Sequence, residues 1–262
     1  MTIAFCVSGS APHRGHDMRT AAGRIAGRAA ICSNPLGNFM IRLGKIFLFF
    51  GILSVATSVF SGSALLFQDP YFLAYKDSDK ITGIYSSIGN ARSCYFLFYG
   101  SFKKEHSDNN GYSASEIETF LPGEKILDFE NRDRAFDISG KLYRDDDGWV
   151  IRTTHPQAGC ASAQGVFEFD PPDFRAKNYE IESTVPAMGI RIVKSKSFFY
   201  DLKDKKFVPR KGYLTKWNGV VVLKISRDFS YVRYVDTGPK FDGRVTFGWL
   251  RSNDLVDPFP VK

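Results

Sequence analysis

Residues 240–258, KFDGRVTFGWLRSNDLVDP, decide how the C-terminal part of the chain is read. The Asp242-Gly243 pair is a turn signal, and the run RVTFGWL after it reads as one arm of a hairpin. That arm brings Trp249 and Leu250 onto one small core, and the short turn that follows seats Leu255 behind them. Such an arm scaffolds; nothing in it catalyses. Outward from it, back to Gly189, the same grammar recurs in IRIVKSKSFFYD, GYLTKW, VVVLKIS and FSYVRYVD, divided by Asp-Lys, Asn-Gly, Arg-Asp and Asp-Gly turns. Five short strands in about 70 residues suit a small curled barrel.

The segments SFFYD, GYLTKW, VVVLKI, FSYVRYVD and above all GWLRSNDL resemble the bacterial SH3-like domain. The last strand of that family typically carries a Gly-Trp, then an apolar residue and a Ser-x-x-Leu turn. The likeness covers residues 190–258. Trp217-Asn218-Gly219 replaces the family's usual Gly-Asp, Phe229 stands where a Trp is frequent, and the early Asn-Val-Arg motif is missing. The resemblance implies a small β-barrel that binds cell-wall peptide or polysaccharide, or serves as a spacer in envelope proteins.

Between residues 65 and 187 helical periodicity is hard to find, whereas alternating and aromatic runs recur: KITGIYSS, CYFLFYGSF, EIETFL, KILDFE, AFDISGKLY, WVIRTT, GVFEFD and NYEIEST. Turn signals such as Pro122-Gly123 and Pro171-Pro172 divide them. The chain is therefore read as all-β, with an N-terminal β-sandwich or barrel module (65–187) followed by a small SH3-like barrel (188–262), after a signal segment. The clearest hairpin is YRDDDGWVIRTT, residues 143–154. Its Asp run lacks the alternating oxygen ligands and closing Glu of a calcium loop, so Asp-Gly at a hairpin tip is the simpler reading and no metal is expected.

Upstream of both modules, Arg42 and Lys45 precede an apolar run at 46–60 and then Ser61, Gly62, Ser63 and Ala64. Basic flank, apolar stretch and small residues follow the order of a secretory signal over 40–64, with cleavage expected after Ala64. The alternative is an uncleaved anchor, since Leu65, Leu66 and Phe67 prolong the run toward the ~20 residues of a spanning helix. Either way the basic flank leaves the following chain outside the cytoplasm, in the periplasm or beyond, with the membrane touched only through an uncleaved signal. No cysteine ends the run, so a lipoprotein is not expected. Residues 1–39, rich in Ala and Arg, read as a non-native or disordered leader with Met40 as the start; a weak amphipathic helix or transit peptide is the alternative, and His13 and His16 are not taken as metal ligands.

The formal net charge of +7 conceals a split. Residues 65–187 carry 13 Lys or Arg against 20 Asp or Glu, net −7, while residues 188–262 carry 16 against 7, net +9. Ordinary solvated surfaces of opposite sign account for this; the functional alternative gives the basic module an anionic envelope polymer and the acidic one a basic partner. Of four cysteines, Cys6 and Cys32 lie in the leader, leaving Cys94 and Cys160. Two cysteines in an oxidising compartment are expected to pair, closing a loop of some 65 residues worth about 4 kcal/mol in the chain-entropy model. A thiol nucleophile beside His155 is the alternative.

No catalytic constellation emerges. His106 lies in a polar stretch and His155 precedes Pro156, so a Cys-His hydrolase is poorly supported, and two His without helical spacing make no zinc site. The expected function is that of an exported, non-catalytic envelope binding protein without cofactor. One form is an inhibitor or immunity protein whose acidic module covers a basic secreted toxin or cell-wall hydrolase. The other is a peptidoglycan-attached structural or targeting protein, gripping the wall with Lys194, Lys196, Lys203, Lys205, Lys206, Arg210 and Lys211. A protein partner or peptidoglycan is expected, and no nucleic acid. Trp217, in a turn, is the candidate ligand aromatic, with Tyr200, Tyr213 and Tyr234 lining a groove beside it; packing against the neighbouring module is the alternative for Trp217, and Trp249 is assigned to the core.

Overall fold

The structure, a computed structural model, describes residues 62–88, 93–104, 106–107, 111–146, 148–160, 167–238, 240 and 243–261. The apolar run 46–60, His13, His16, Cys6 and Cys32 lie outside the described residues. Every regular element among the described residues is a strand or a short 3-10 turn, in two antiparallel sheets. The all-β expectation therefore holds.

The first sheet comprises β1 (Gly62–Phe67), β2 (Phe72–Asp77), β3 (Lys80–Ile88), β4 (Ser93–Ser101), β5 (His106–Ser107), β6 (Ser113–Phe120), β7 (Ile138–Arg144), β8 (Gly148–Thr153) and β9 (Tyr179–Ala187). Its order is β4-β3-β2-β1-β9-β8-β7-β6, and β6 pairs back onto β4 through Leu97↔Phe120 to Gly100↔Ile117. The pairing closes, so this sheet is an eight-stranded barrel with β5 as a short addition on β6. Closure gives both outer strands of the sheet a partner, although β8 and β9 share only Gly148↔Glu180 and Trp149↔Tyr179.

Aromatic rings fill the interior. Phe67 and Phe72 lie 4.3 Å apart, Phe72 and Tyr179 4.7 Å, and Phe96 and Phe167 5.1 Å, with Trp149 against Phe67 at 5.4 Å. One strand position must be glycine to admit them: a Cβ on Gly83 would come within 2.2 Å of the Phe98 ring on the paired strand. The Cys94–Cys160 disulfide joins the start of β4 to the loop after β8, with both sulfurs in the aromatic core. Gln157 fastens the same loop, donating through Nε2 to Thr119 Oγ1 at 2.8 Å and to the Phe136 carbonyl at 2.7 Å. The hairpin expected at 143–154 is β7–β8, and Asp145 closes its tip by accepting the Gly148 N–H at 2.7 Å.

The second sheet comprises β10 (Gly189–Val193), β11 (Ser197–Lys203), β12 (Lys206–Leu214), β13 (Gly219–Ser226), β14 (Phe229–Val235), β15 (Val245–Arg251) and β16 (Leu255–Val256). Its order, β12-β11-β15-β14-β13-β10-β16, does not close, so the sheet is a half-barrel. Its concave side holds Val193, Phe199, Leu214, Val220, Val222, Val232 and Leu250, with Leu255 packed behind them. The open edge, β12, carries Pro209 together with Lys206, Arg210 and Lys211, residue types that discourage further strand addition.

The two sheets share a third cluster. Ala64, Leu66, Ile84, Leu97 and Phe120 from the outside of the barrel pack on Ala187, Ile190, Ile192, Val221 and Phe259. Strand β1 is thus buried on both faces: Leu65 and Phe67 point into the barrel, Ala64 and Leu66 into this seam.

Several sequence readings change accordingly. KILDFE is no strand; it bends so that Leu127 plugs the seam. Phe167 to Asp170 in GVFEFD are irregular, with Phe167 serving as a plug of the barrel. IRIVKSKSFFYD breaks into β10 and β11 at residues 194–196. GSALLF, whose first three residues are read above as the end of the signal, is β1, and FLAYKD is β2. Cleavage after Ala64 would remove Gly62, Ser63 and Ala64, which pair with Ala187, Pro186 and Val185 of β9, and leave Leu65 to Phe67 of β1 in place.

Two outcomes follow from this architecture. A secreted form of the chain has its N-terminus at or before Gly62 when read by intact mass, and a version starting at Leu65 is destabilised by several kcal/mol in urea, since half of a doubly paired strand is lost. Cys94→Ser with Cys160→Ser lowers stability by about 4 kcal/mol, seen as a reduced urea midpoint, whereas an equal midpoint with and without the bond would rule that contribution out.

Candidate functional site

On β14 and β15, side chains alternate between the concave core and the opposite, outward face. Tyr231 pairs with Trp249 and Arg233 with Phe247 across the two strands, so all four share the outward face. The β11–β12 hairpin curls over that face and lays Phe207 flat on Phe229, with centroids 3.8 Å apart and planes at 18°. Phe207 also meets the edge of Trp249 at 5.3 Å, Trp249 lies 5.2 Å from Tyr231, and Tyr231 stacks on Phe247 at 6.3 Å. Tyr200 closes the row 5.0 Å from Phe229. The result is a continuous strip of six rings, half-buried for the most part, ending in Phe247 at 45% exposure.

Cations border this strip. Lys224 Nζ stands 5.0 Å over Tyr231 and 5.2 Å over Trp249, and Arg251 lies 5.8 Å over Tyr200 while its Nε–H donates to the Tyr200 hydroxyl at 3.2 Å. Beyond Tyr200 the hairpin tip presents Lys203, Lys205 and Lys206, all exposed. Its two turn residues, Asp204 and Lys205, have φ of 48° and 62°. Two left-handed residues are what a two-residue hairpin turn needs, and glycine would meet that need at roughly 1–2 kcal/mol less per position than a residue with a Cβ. The turn holds a lysine there instead.

The Gly248-Trp249 pair of the C-terminal stretch now has a physical reason on each face. Trp249 is buried at 6%, as expected of a core residue, on the outward face of the sheet, while Leu250 on the opposite face occupies the concave core. On the concave side a Cβ at Gly248 would stand 2.7 Å from the Phe199 ring and 2.1 Å from the Arg210 guanidinium. Arg210 crosses above Gly248 to donate through Nη2 to the Phe247 carbonyl at 2.6 Å, with Asp201 3.7 Å from its Nε.

The candidate aromatics do not form one groove. Tyr213, Tyr234 and Arg210 do meet, in a polar cleft of about 390 Å³ on the open side of the half-barrel, together with Asp236 and Arg244. Tyr200 lies on the outward strip instead. Trp217, with a left-handed φ of 77°, turns into the seam: its ring meets Tyr95 edge-on at 5.4 Å, its carbonyl accepts the Tyr95 hydroxyl at 3.3 Å, and its N–H donates to the Val193 carbonyl at 3.0 Å. Packing between the modules, the alternative reading, accounts for the two Tyr95 contacts. Lys194, Lys196 and Lys211 are exposed away from the strip, with Lys196 4.1 Å over the Tyr213 ring.

Cys94 and Cys160 are bonded to each other and so carry no thiolate for nucleophilic attack. His106 and His155 are exposed. Among the described residues no group of three or more His, Cys, Asp or Glu could hold a metal ion. Sequence reasoning missed Phe207, Phe229, Tyr231, Phe247, Lys224 and Arg251; the i, i+2 spacing of Phe229 with Tyr231 and of Phe247 with Trp249 was the signal that could have placed them on one face.

No protein-family model matches the chain, and neither a curated protein nor a solved structure does.

Burial pushes the Tyr234 phenol up to about 12, Asp236 adds to the shift and Arg244 opposes it. Burial, helped by the Asp69 charge, likewise pushes Tyr85 up to about 12. The folded state holds these protons more tightly than the unfolded chain, so the associated stability is whole below about pH 10 and is lost as pH rises toward 12. Alkaline titration followed by tyrosinate absorbance and circular dichroism should show late ionisation coupled to unfolding; full ionisation near pH 10 with the fold intact would contradict it.

Proposed function

We propose that the chain is an exported, non-catalytic binding protein of the bacterial envelope whose second sheet, an SH3-like module, grips an anionic glycan such as peptidoglycan. The strip of six rings bordered by Lys224, Arg251 and the Lys203, Lys205 and Lys206 hairpin tip carries this reading. Aromatic faces stack on the apolar faces of sugar rings, and cations beside them engage carboxylates. The net +9 of residues 188–262 favours an anionic polymer over a neutral one. The buried disulfide supports an oxidising compartment, which also argues against single-stranded nucleic acid as the partner of a basic aromatic surface.

A second reading, inhibition of a secreted toxin or cell-wall hydrolase by the acidic barrel, draws on the loop between β8 and β9. There Phe174 is 94% exposed, while Asp173 holds the loop by accepting both the Arg175 backbone N–H at 2.9 Å and its guanidinium at 2.6 Å. A bare aromatic on a braced loop is the form of an interface anchor.

Co-sedimentation with purified sacculi at moderate salt tests the first reading. Wild type should pellet. The Lys203, Lys205, Lys206→Ser variant and the Phe247→Ala variant should each weaken binding about tenfold, with more salt loosening the wild type further. Failure to pellet, or displacement by single-stranded DNA in preference to glycan, would overturn it. Stoichiometric capture of one basic hydrolase, lost on Phe174→Ala, would favour the second reading.

A further inference from the structure

The outward face of the second sheet has a third region, between the part that packs on the barrel and the aromatic strip. Arg233 stands there, opposite Val221 of the seam on one side and Phe247 of the strip on the other. It opens into a cleft of about 300 Å³ between the two sheets, whose apolar walls include Leu66, Leu73 and Ile84 from the barrel and Val221 and Val245 from the second sheet. Ser86 and Thr237 meet across the cleft, their hydroxyls 3.4 Å apart.

Arg233 is half-buried, and among the described residues no carboxylate lies within 4.0 Å of its guanidinium. The acid whose field reaches it is Glu182, exposed on β9 and also lining the cleft. Burial works against its charge, so a partner anion delivered into the cleft would recover interaction that the free protein lacks. A guanidinium fork at the end of an apolar slot matches a carboxylate at the end of an apolar body. Glu182 at the same opening repels a second negative charge, which limits the ligand to one acid group.

We infer that this seam cleft is a binding site for a small amphipathic monocarboxylate, its acid held by Arg233 and its apolar body lying between Leu66, Ile84 and Val221. At the ~30 Å³ taken by one water-sized group, the cleft holds on the order of ten non-hydrogen atoms. The site stands independently of whether the strip binds a polymer.

Octanoate, octanol and octylammonium are the probes, titrated into the full chain by calorimetry and by amide chemical shifts. Octanoate should bind and move the amides of Ser86, Thr237 and Arg233. Arg233→Gln should weaken octanoate at least tenfold, leave octanol unchanged and raise the affinity for octylammonium through the remaining Glu182. Octanoate shifts confined to strip residues, octanoate affinity unchanged in Arg233→Gln, or octylammonium bound more tightly than octanoate by the wild type would each overturn the assignment. The shift map on the unaltered protein decides the case even where Arg233→Gln is poorly folded.

Discussion

The packing of Leu66, Ile84 and Phe120 on Ile190, Val221 and Phe259 is the contact on which the rest of the structure depends. Burying each such side chain is worth roughly 1.5–3 kcal/mol, and the seam joins several of them from each sheet. It makes a closed barrel and an open half-barrel into parts of one compact unit. The half-barrel needs the arrangement more than the barrel does, because a sheet that never closes must cover its second face with something. The barrel covers one end of that face, and the β11–β12 hairpin covers part of the rest.

The position of each candidate site follows from where this coverage stops. Val221 is under the barrel, Arg233 stands at its margin, and Tyr231, Phe247 and Trp249 lie beyond it on the same face of the same sheet. Aromatics that in a closed barrel would be shared between two walls are therefore left partly in water, with Lys224 and Arg251 lying over their rings. The left-handed residues fit the same scheme. Trp217 is held at positive φ by the seam that its ring fills, and Lys205 by the tightness of its turn.

The strands of the second sheet were legible because short polar pairs punctuate the sequence between them, Asp204-Lys205 between β11 and β12 and Arg227-Asp228 between β13 and β14 among them. The barrel's β7–β8 hairpin and the Cys94–Cys160 pair were legible for similarly local reasons. The start of the barrel was not. A strand buried on both faces has no alternation, so Gly62, Ser63 and Ala64 read as the small residues that follow the apolar run 46–60 at the end of a signal peptide rather than as the start of a strand. KILDFE misled in the opposite sense, its Leu127 being apolar in order to plug the seam rather than to line a strand. The strip escaped because Phe207 meets Phe229 only through the curl of a hairpin, which no spacing within either strand encodes.

Native-state hydrogen exchange in rising urea probes the shared core most directly. If the seam binds both sheets into one cooperative unit, the slowest amides of β1 and β3 in the barrel and of β10 and β13 in the half-barrel open with a common free energy and a common dependence on denaturant. Exchange of β10 and β13 at a distinctly lower free energy, with β1 and β3 still protected, would mean that the half-barrel unfolds on its own and would contradict the account.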